Sequence, residues 1–228
     1  MIRRLQSIVD FRSDTVTKPC VKMYDAMNKA KIGDDVLQDD PSILALENKV
    51  CDMFNKPSSL FVPSGTMGNL ISIGVQCVRG DEIIVGNGAH IFVYEGGGAS
   101  AFMGVSLSTI PNTKDGSLNI LDIEKAIRDD DIHYPKTTMI TMENTHNTCG
   151  GRIVPQEKIK TIGNLAHQHN LKYHLDGARI MNASVASKIS LSDIVQPFDT
   201  ISFCLSKGLG CPVGSVILGS EEFIYKVK

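Results

Sequence analysis

The chain has 228 residues, enough for one sizeable core, and with 42% hydrophobic and 21% charged residues it has the balance of a folded globular protein rather than a disordered or fibrous one. A net charge of -2 leaves no excess of lysine and arginine to hold a polyanionic backbone, which argues against nucleic acid as a partner. The six cysteines, at Cys20, Cys51, Cys77, Cys149, Cys204 and Cys211, have neither the C-x-x-C spacing of a zinc site nor the density of a disulfide scaffold, so no metal is expected and a reducing cytoplasm is.

Along the chain, Met1 to Asp10 carries two arginines but no apolar stretch of leader length after them, and no later apolar run is long enough to span a bilayer, so no membrane partner is expected. Asp40-Pro41 followed by Ile43, Leu46, Val50 and Met53 predicts a capped helix with one apolar face. A strand is predicted at Ser59 to Val62, then a helix near Met67 to Cys77, strands at Glu82 to Val85 and Met139 to Met142, and a helix around Glu157 to His169. Further strands at Leu171 to Leu175, Thr200 to Leu205 and Gly214 to Leu218 complete the set. Buried strands interleaved with helices predict a mostly parallel α/β sheet covered on both faces. No repeat or linker divides the chain, and residues 1–228 read as one domain. Glu221 to Lys228 reads as a helix that stops without a capping glycine or asparagine, which predicts a piece of a longer protein.

In such a sheet ligands collect at the carboxyl ends of the strands, so polar residues directly after apolar strands are the candidates. Pro63-Ser64-Gly65-Thr66-Met67-Gly68-Asn69 offers small residues and a helix start that can cradle an anion, or is an ordinary strand-to-helix turn. Asp176 and Arg179 follow the strand ending at Leu175, and both are expected to face the cleft. Asp176 suits a protonated ring nitrogen and Arg179 a carboxylate or ring oxygen, or the two form a structural ion pair. Lys207 emerges from Ile201-Ser202-Phe203-Cys204-Leu205-Ser206 into Gly208-Leu209-Gly210, where desolvation would favour a neutral, nucleophilic amine, or is an ordinary solvated surface charge. His90, and His146 within Glu143-Asn144-Thr145-His146-Asn147, each present an imidazole able to stack on a ring, move a proton or satisfy loop hydrogen bonds.

Taken in order, Asp10-Phe11-Arg12-Ser13-Asp14-Thr15-Val16-Thr17, Pro63 to Asn69, Glu143 to Asn147, His174-Leu175-Asp176-Gly177-Ala178-Arg179 and Ser206 to Gly210 resemble the low-specificity L-threonine aldolases. These belong to the β-eliminating lyase group of pyridoxal 5'-phosphate (PLP) enzymes. The resemblance implies the aspartate-aminotransferase fold, a large PLP-binding domain built on a seven-stranded sheet, ending before the family's smaller domain. It implies that Lys207 forms the Schiff base, that Asp176 pairs with the pyridine nitrogen and that His90 stacks on the ring. The phosphate would sit at Gly65, Thr66 and Ser206. Ser13 and Arg179 would hold the substrate carboxylate, with Arg179 also within reach of the ring hydroxyl, and His146 would lie near the substrate hydroxyl.

The implied reaction is cleavage of a β-hydroxy amino acid, L-threonine or L-allo-threonine, between Cα and Cβ to glycine and acetaldehyde, in a homo-oligomer. The base for the hydroxyl proton is left open among His90, His146 and a held water. Two alternatives stand beside this reading: another PLP-dependent β-eliminating lyase, and a non-catalytic fragment acting as an assembly partner. A dinucleotide oxidoreductase is disfavoured, because no G-x-G-x-x-G follows the first strand.

Overall fold

A computed structural model describes residues 9–228, so the reading of Met1 to Asp10 lies almost wholly outside the described residues. After a short 3-10 turn at Asp14–Val16, helices α1 (Val21–Lys29) and α2 (Pro41–Phe54) lead into strand β1 (Ser58–Val62) and helix α3 (Gly65–Gln76). Strand β2 (Glu82–Gly86), the one-turn helices α4 (His90–Val93) and α5 (Gly98–Ala101), strand β3 (Ser106–Ile110), helix α6 (Ile120–Ala126) and strand β4 (Thr137–Glu143) come next. The chain continues through α7 (Gln156–Gln168), β5 (Lys172–Asp176), α8 (Ile180–Ser187), α9 (Leu191–Val195), β6 (Thr200–Cys204), β7 (Ser215–Gly219) and α10 (Glu221–Val227).

The seven strands form one sheet in the order β1-β7-β6-β5-β4-β2-β3. All contacts from β6 through to β3 are parallel, while β7 pairs antiparallel with both β6 and β1. β7 is therefore the one reversed strand among the described residues, and the carboxyl ends of the other six share one edge of the sheet. Strand side chains alternate between two cores, as the pleat requires. Ile84, Ile140, Met142, Tyr173, Leu175, Ile201 and Phe203 enter the larger core with Phe54, Ile159, Ile162 and Phe198. Ile83 and Met139 face the other way, toward Ile73, Ile91 and Val105. A sheet covered on both faces results.

Local chemistry explains the helix starts. Asp40 caps α2 through Oδ1, which accepts from the amides of Ser42 (2.8 Å) and Ile43 (2.9 Å), with Pro41 in the first turn. Ser64 caps α3, its Oγ accepting from the Met67 amide at 3.2 Å. That cap moves the start of α3 forward to Gly65, ahead of the helix near Met67 read from the apolar pattern.

Candidate active site

Four connections converge at the shared edge: the start of α3 after β1, the start of α4 after β2, the turn after β5, and the loop 205–214 from β6 back to β7. They enclose a cleft of about 270 Å³ whose lining includes Gly65, Thr66, Asn69, His90, Glu95, Asp176, Cys204, Ser206 and Lys207. Gly65, Thr66, His90, Asp176, Ser206 and Lys207, all candidates on sequence grounds, are thus brought into one cavity. Ser13, Arg179 and His146 are not among its lining residues.

At the α3 end, the amides of Gly65 and Thr66 have no carbonyl four residues earlier within the helix, so they are the natural donors to an anion. A side chain at Gly65 would crowd this end of the cleft, since a Cβ there would lie 2.8 Å from Cys204 Sγ. One helical turn further on, Asn69 Nδ2 donates to Asp176 Oδ2 (2.9 Å) and to Glu95 Oε1 (2.8 Å). Asp176 Oδ1 accepts from the Ala178 amide at 3.2 Å, so both carboxylate oxygens have a protein donor.

His90 has a half-buried ring whose Nδ1 lies 2.9 Å from Glu95 Oε1. That hydrogen bond raises the imidazole's proton affinity above the ordinary value, against the opposing effect of burial. Its backbone is fixed by Glu143, whose Oε2 accepts from the His90 amide at 2.8 Å while Oε1 accepts from the Asn147 amide at 2.8 Å. Burial, aided by the nearby Asp176 charge, pushes the Glu143 carboxyl up to about 7.

Arg179 faces a neighbouring hollow, which it lines with Thr145, Asn182, Gly208 and Leu209. Its guanidinium grips Asp14 through two parallel bonds, Nε to Oδ2 at 2.8 Å and Nη2 to Oδ1 at 2.7 Å. The structural ion pair considered for Arg179 thus forms with Asp14 and not with Asp176. Ser13 caps the short turn at Asp14–Val16 through Oγ and the Thr15 amide. His146 is fully enclosed: Nδ1 lies 3.4 Å from Thr148 Oγ1, and among the described residues Nε2 has no hydrogen-bond partner, the Glu143 carboxylate being 4.0 Å away. Burial lowers its proton affinity below the ordinary value.

The beta-eliminating lyase family model matches residues 10–228. The chain belongs to the beta-eliminating lyase family. Two relatives are similar over nearly all of it: a probable low-specificity L-threonine aldolase 2 from Arabidopsis thaliana, 52% identical over 223 residues, and a low specificity L-threonine aldolase from Escherichia coli (strain K12), 41% identical over 217. These alignments cover 96% and 95% of this chain but 63% and 64% of the relatives, so the chain spans less than two thirds of their length. Among solved structures, a threonine aldolase from Leishmania major superposes with a TM-score of 0.82 at 22% identity, over 95% of this chain and 63% of that one, which shows a shared fold.

Sequence reasoning left Asn69, Glu95, His174 and Asp14 without roles. For Asn69 a signal existed: on α3 it lies a turn beyond Gly65 and Thr66, on the face that meets the cleft. His174 had one too, because period two on β5 places it on the same side as Asp176. Glu95 had none, since it follows a helix of one turn.

Proposed function

We propose that this chain provides the cofactor-binding domain of a PLP-dependent aldolase that cleaves L-threonine or L-allo-threonine to glycine and acetaldehyde. The observation that carries the reading is the convergence of Lys207, Asp176, His90 and the α3 N-terminus on one cleft. The donor set suits the cofactor: helix amides and Ser206 for a phosphate, a carboxylate for a ring nitrogen, and a primary amine for an aldehyde. Gly65 leaves that end of the cleft open, as a phosphate cradle requires. PLP would supply an aldehyde that condenses with amines and a ring that accepts the electron pair of a breaking bond.

The chain's own residues would divide the remaining work. Lys207 would present the primary amine that holds the aldehyde between turnovers and gives way to the substrate's amine. Asp176, with both oxygens already fixed by Asn69 and the Ala178 amide, stabilises positive charge at one place in the cleft. His90 is the better candidate for taking the substrate hydroxyl proton, because it lines the cleft and its Nδ1 bond to Glu95 leaves Nε2 to exchange protons, whereas His146 is enclosed. Arg179 and Ser13 are assigned to the substrate carboxylate, and Arg179 reaches it only by exchanging Asp14 for the ligand.

The same reading assigns a homo-oligomer, supported by large apolar side chains on the surface such as Phe11 (93% exposed), Ile32 (90%) and Val36 (89%). A cytoplasmic setting is supported by six free cysteines. No helix of the described residues is long and apolar enough to cross a membrane.

The test is an absorption spectrum of the chain with PLP, then borohydride reduction and peptide mapping. A visible band with the reduced cofactor on Lys207, lost in Lys207→Ala, together with glycine and acetaldehyde from L-threonine, is the expected result. Label scattered over surface lysines would overturn the cofactor assignment. Ammonia and a keto acid in place of glycine would overturn the aldolase assignment.

A further inference from the structure

Polar side chains continue inward from the cleft as an unbroken line. Asn69 Nδ2 faces Asp176 and Glu95, and the other end of the same amide, Oδ1, lies 3.1 Å from His174 Nε2. His174 Nδ1 lies 2.9 Å from Thr200 Oγ1, and Gln76 Nε2 donates to that same Oγ1 at 2.9 Å. Asn69, His174 and Thr200 are 2%, 0% and 1% exposed, so water does not complete these bonds.

Carboxylates accept hydrogen bonds, which fixes the direction of the whole line. Asn69 must turn its NH2 toward Asp176 and Glu95, so its oxygen faces His174 and requires a proton on Nε2. Nδ1 then accepts from the Thr200 hydroxyl, whose oxygen accepts from Gln76, and every member is satisfied. The opposite tautomer would set the Nε2 lone pair against the Asn69 oxygen, or turn Asn69 so that its oxygen met two carboxylates. Burial holds His174 down to about 4, against the pull of Asp176, so the ring is neutral near neutral pH.

We propose that His174 is a positioning residue: its Nε2–H locks the Asn69 amide in the one orientation that holds Asp176 and Glu95 side by side on the cleft wall. Glu95 in turn holds His90, so one buried ring sets the places of three cleft side chains. The catalytic consequence rests on the function proposed above, in which Asp176 must be held in place to serve a protonated ring nitrogen.

The test uses the full chain with histidine-specific 15N labelling, His174 being the signal lost in His174→Gln. The expected pattern is the neutral Nε2–H tautomer, retained at neutral pH and down to about pH 5. An Nδ1–H or doubly protonated pattern at neutral pH would overturn the proposal. In PLP titrations, His174→Gln keeps an N–H for Asn69 and is expected within about threefold of the wild-type dissociation constant, while His174→Leu is expected about tenfold weaker or more. A folded His174→Leu chain that binds PLP as tightly as wild type would also overturn it, and if that variant does not fold, the wild-type tautomer decides. A wild-type chain with the Nε2–H pattern that binds no PLP would refute the cofactor assignment while upholding the Asn69 lock.

Discussion

Replacing Glu143 with glutamine is expected to alter how stability depends on pH. The carboxyl is 5% exposed and both of its oxygens accept backbone amides, yet burial and the Asp176 charge push it up to about 7 from an ordinary value of 4.5. A folded-state value above the unfolded one means that the native chain holds this proton more tightly. The resulting contribution is fully present below about pH 4.5 and is lost as pH rises through about 7, an amount on the order of 3 kcal/mol. Glutamine does not titrate, so Glu143→Gln lacks this slope. It accepts with only one oxygen, which adds a cost of about 1–3 kcal/mol on top of that pH-dependent difference. Urea unfolding of both proteins at about pH 5 and pH 8, followed by circular dichroism, measures the difference. Parallel pH profiles for the two proteins would refute the assignment of a raised carboxyl to Glu143.

Three further substitutions bear on the fold and the site. Asp14→Asn removes the partner that occupies Arg179; the partly exposed pair is expected to cost at most about 1 kcal/mol, while KM for L-threonine falls with kcat little changed. A raised KM would mean that Asp14 orients Arg179 rather than competing for it. In Gly68→Ala the new Cβ would lie 2.8 Å from Ser202 Oγ and 3.0 Å from Ile217 Cγ2, so about 1–3 kcal/mol of destabilisation is expected in urea unfolding. Phe203→Ala empties a ring stacked on Phe54 at 5.0 Å between centroids, both fully buried, and is expected to cost about 3–5 kcal/mol by the same assay.

Most of the strands legible in the sequence have side chains buried on both faces. Glu82 to Val85, Met139 to Met142 and Thr200 to Leu205 read as apolar runs, and the observed elements lie within two residues of those bounds. β3, Ser106-Leu107-Ser108-Thr109-Ile110, gives no apolar run, because it has three hydroxyl side chains and a single buried residue. Helix α1 has no buried residue, and α4 and α5 are one turn each, so neither apolar spacing nor length marked them. In the cleft, the residues legible in sequence were those immediately following strands. The line from Gln76 to Asp176 was not, because it depends on α3 crossing β5 and β6, a contact joining positions more than 100 residues apart.

The reversed strand has a consequence for how this cleft can change. His90, Asp176 and the α3 amides sit on connections that leave the sheet for a helix, where an added residue can be absorbed at the surface. Lys207 sits on a connection that returns directly into β7, cinched by Leu205 N to Gly214 O (3.0 Å) and Cys211 N to Leu205 O (3.1 Å). Gly214 closes it at φ +105°, where a side chain would run into the Phe61 ring. One residue gained or lost there, if not bulged out, would slide β7 along its neighbours and exchange the faces of Val216, Ile217 and Leu218, which enter separate cores. The reach of the amine is thereby tied to the hydrophobic register of the sheet, so new specificities are more readily acquired by lengthening the loops around Lys207 than the one that carries it.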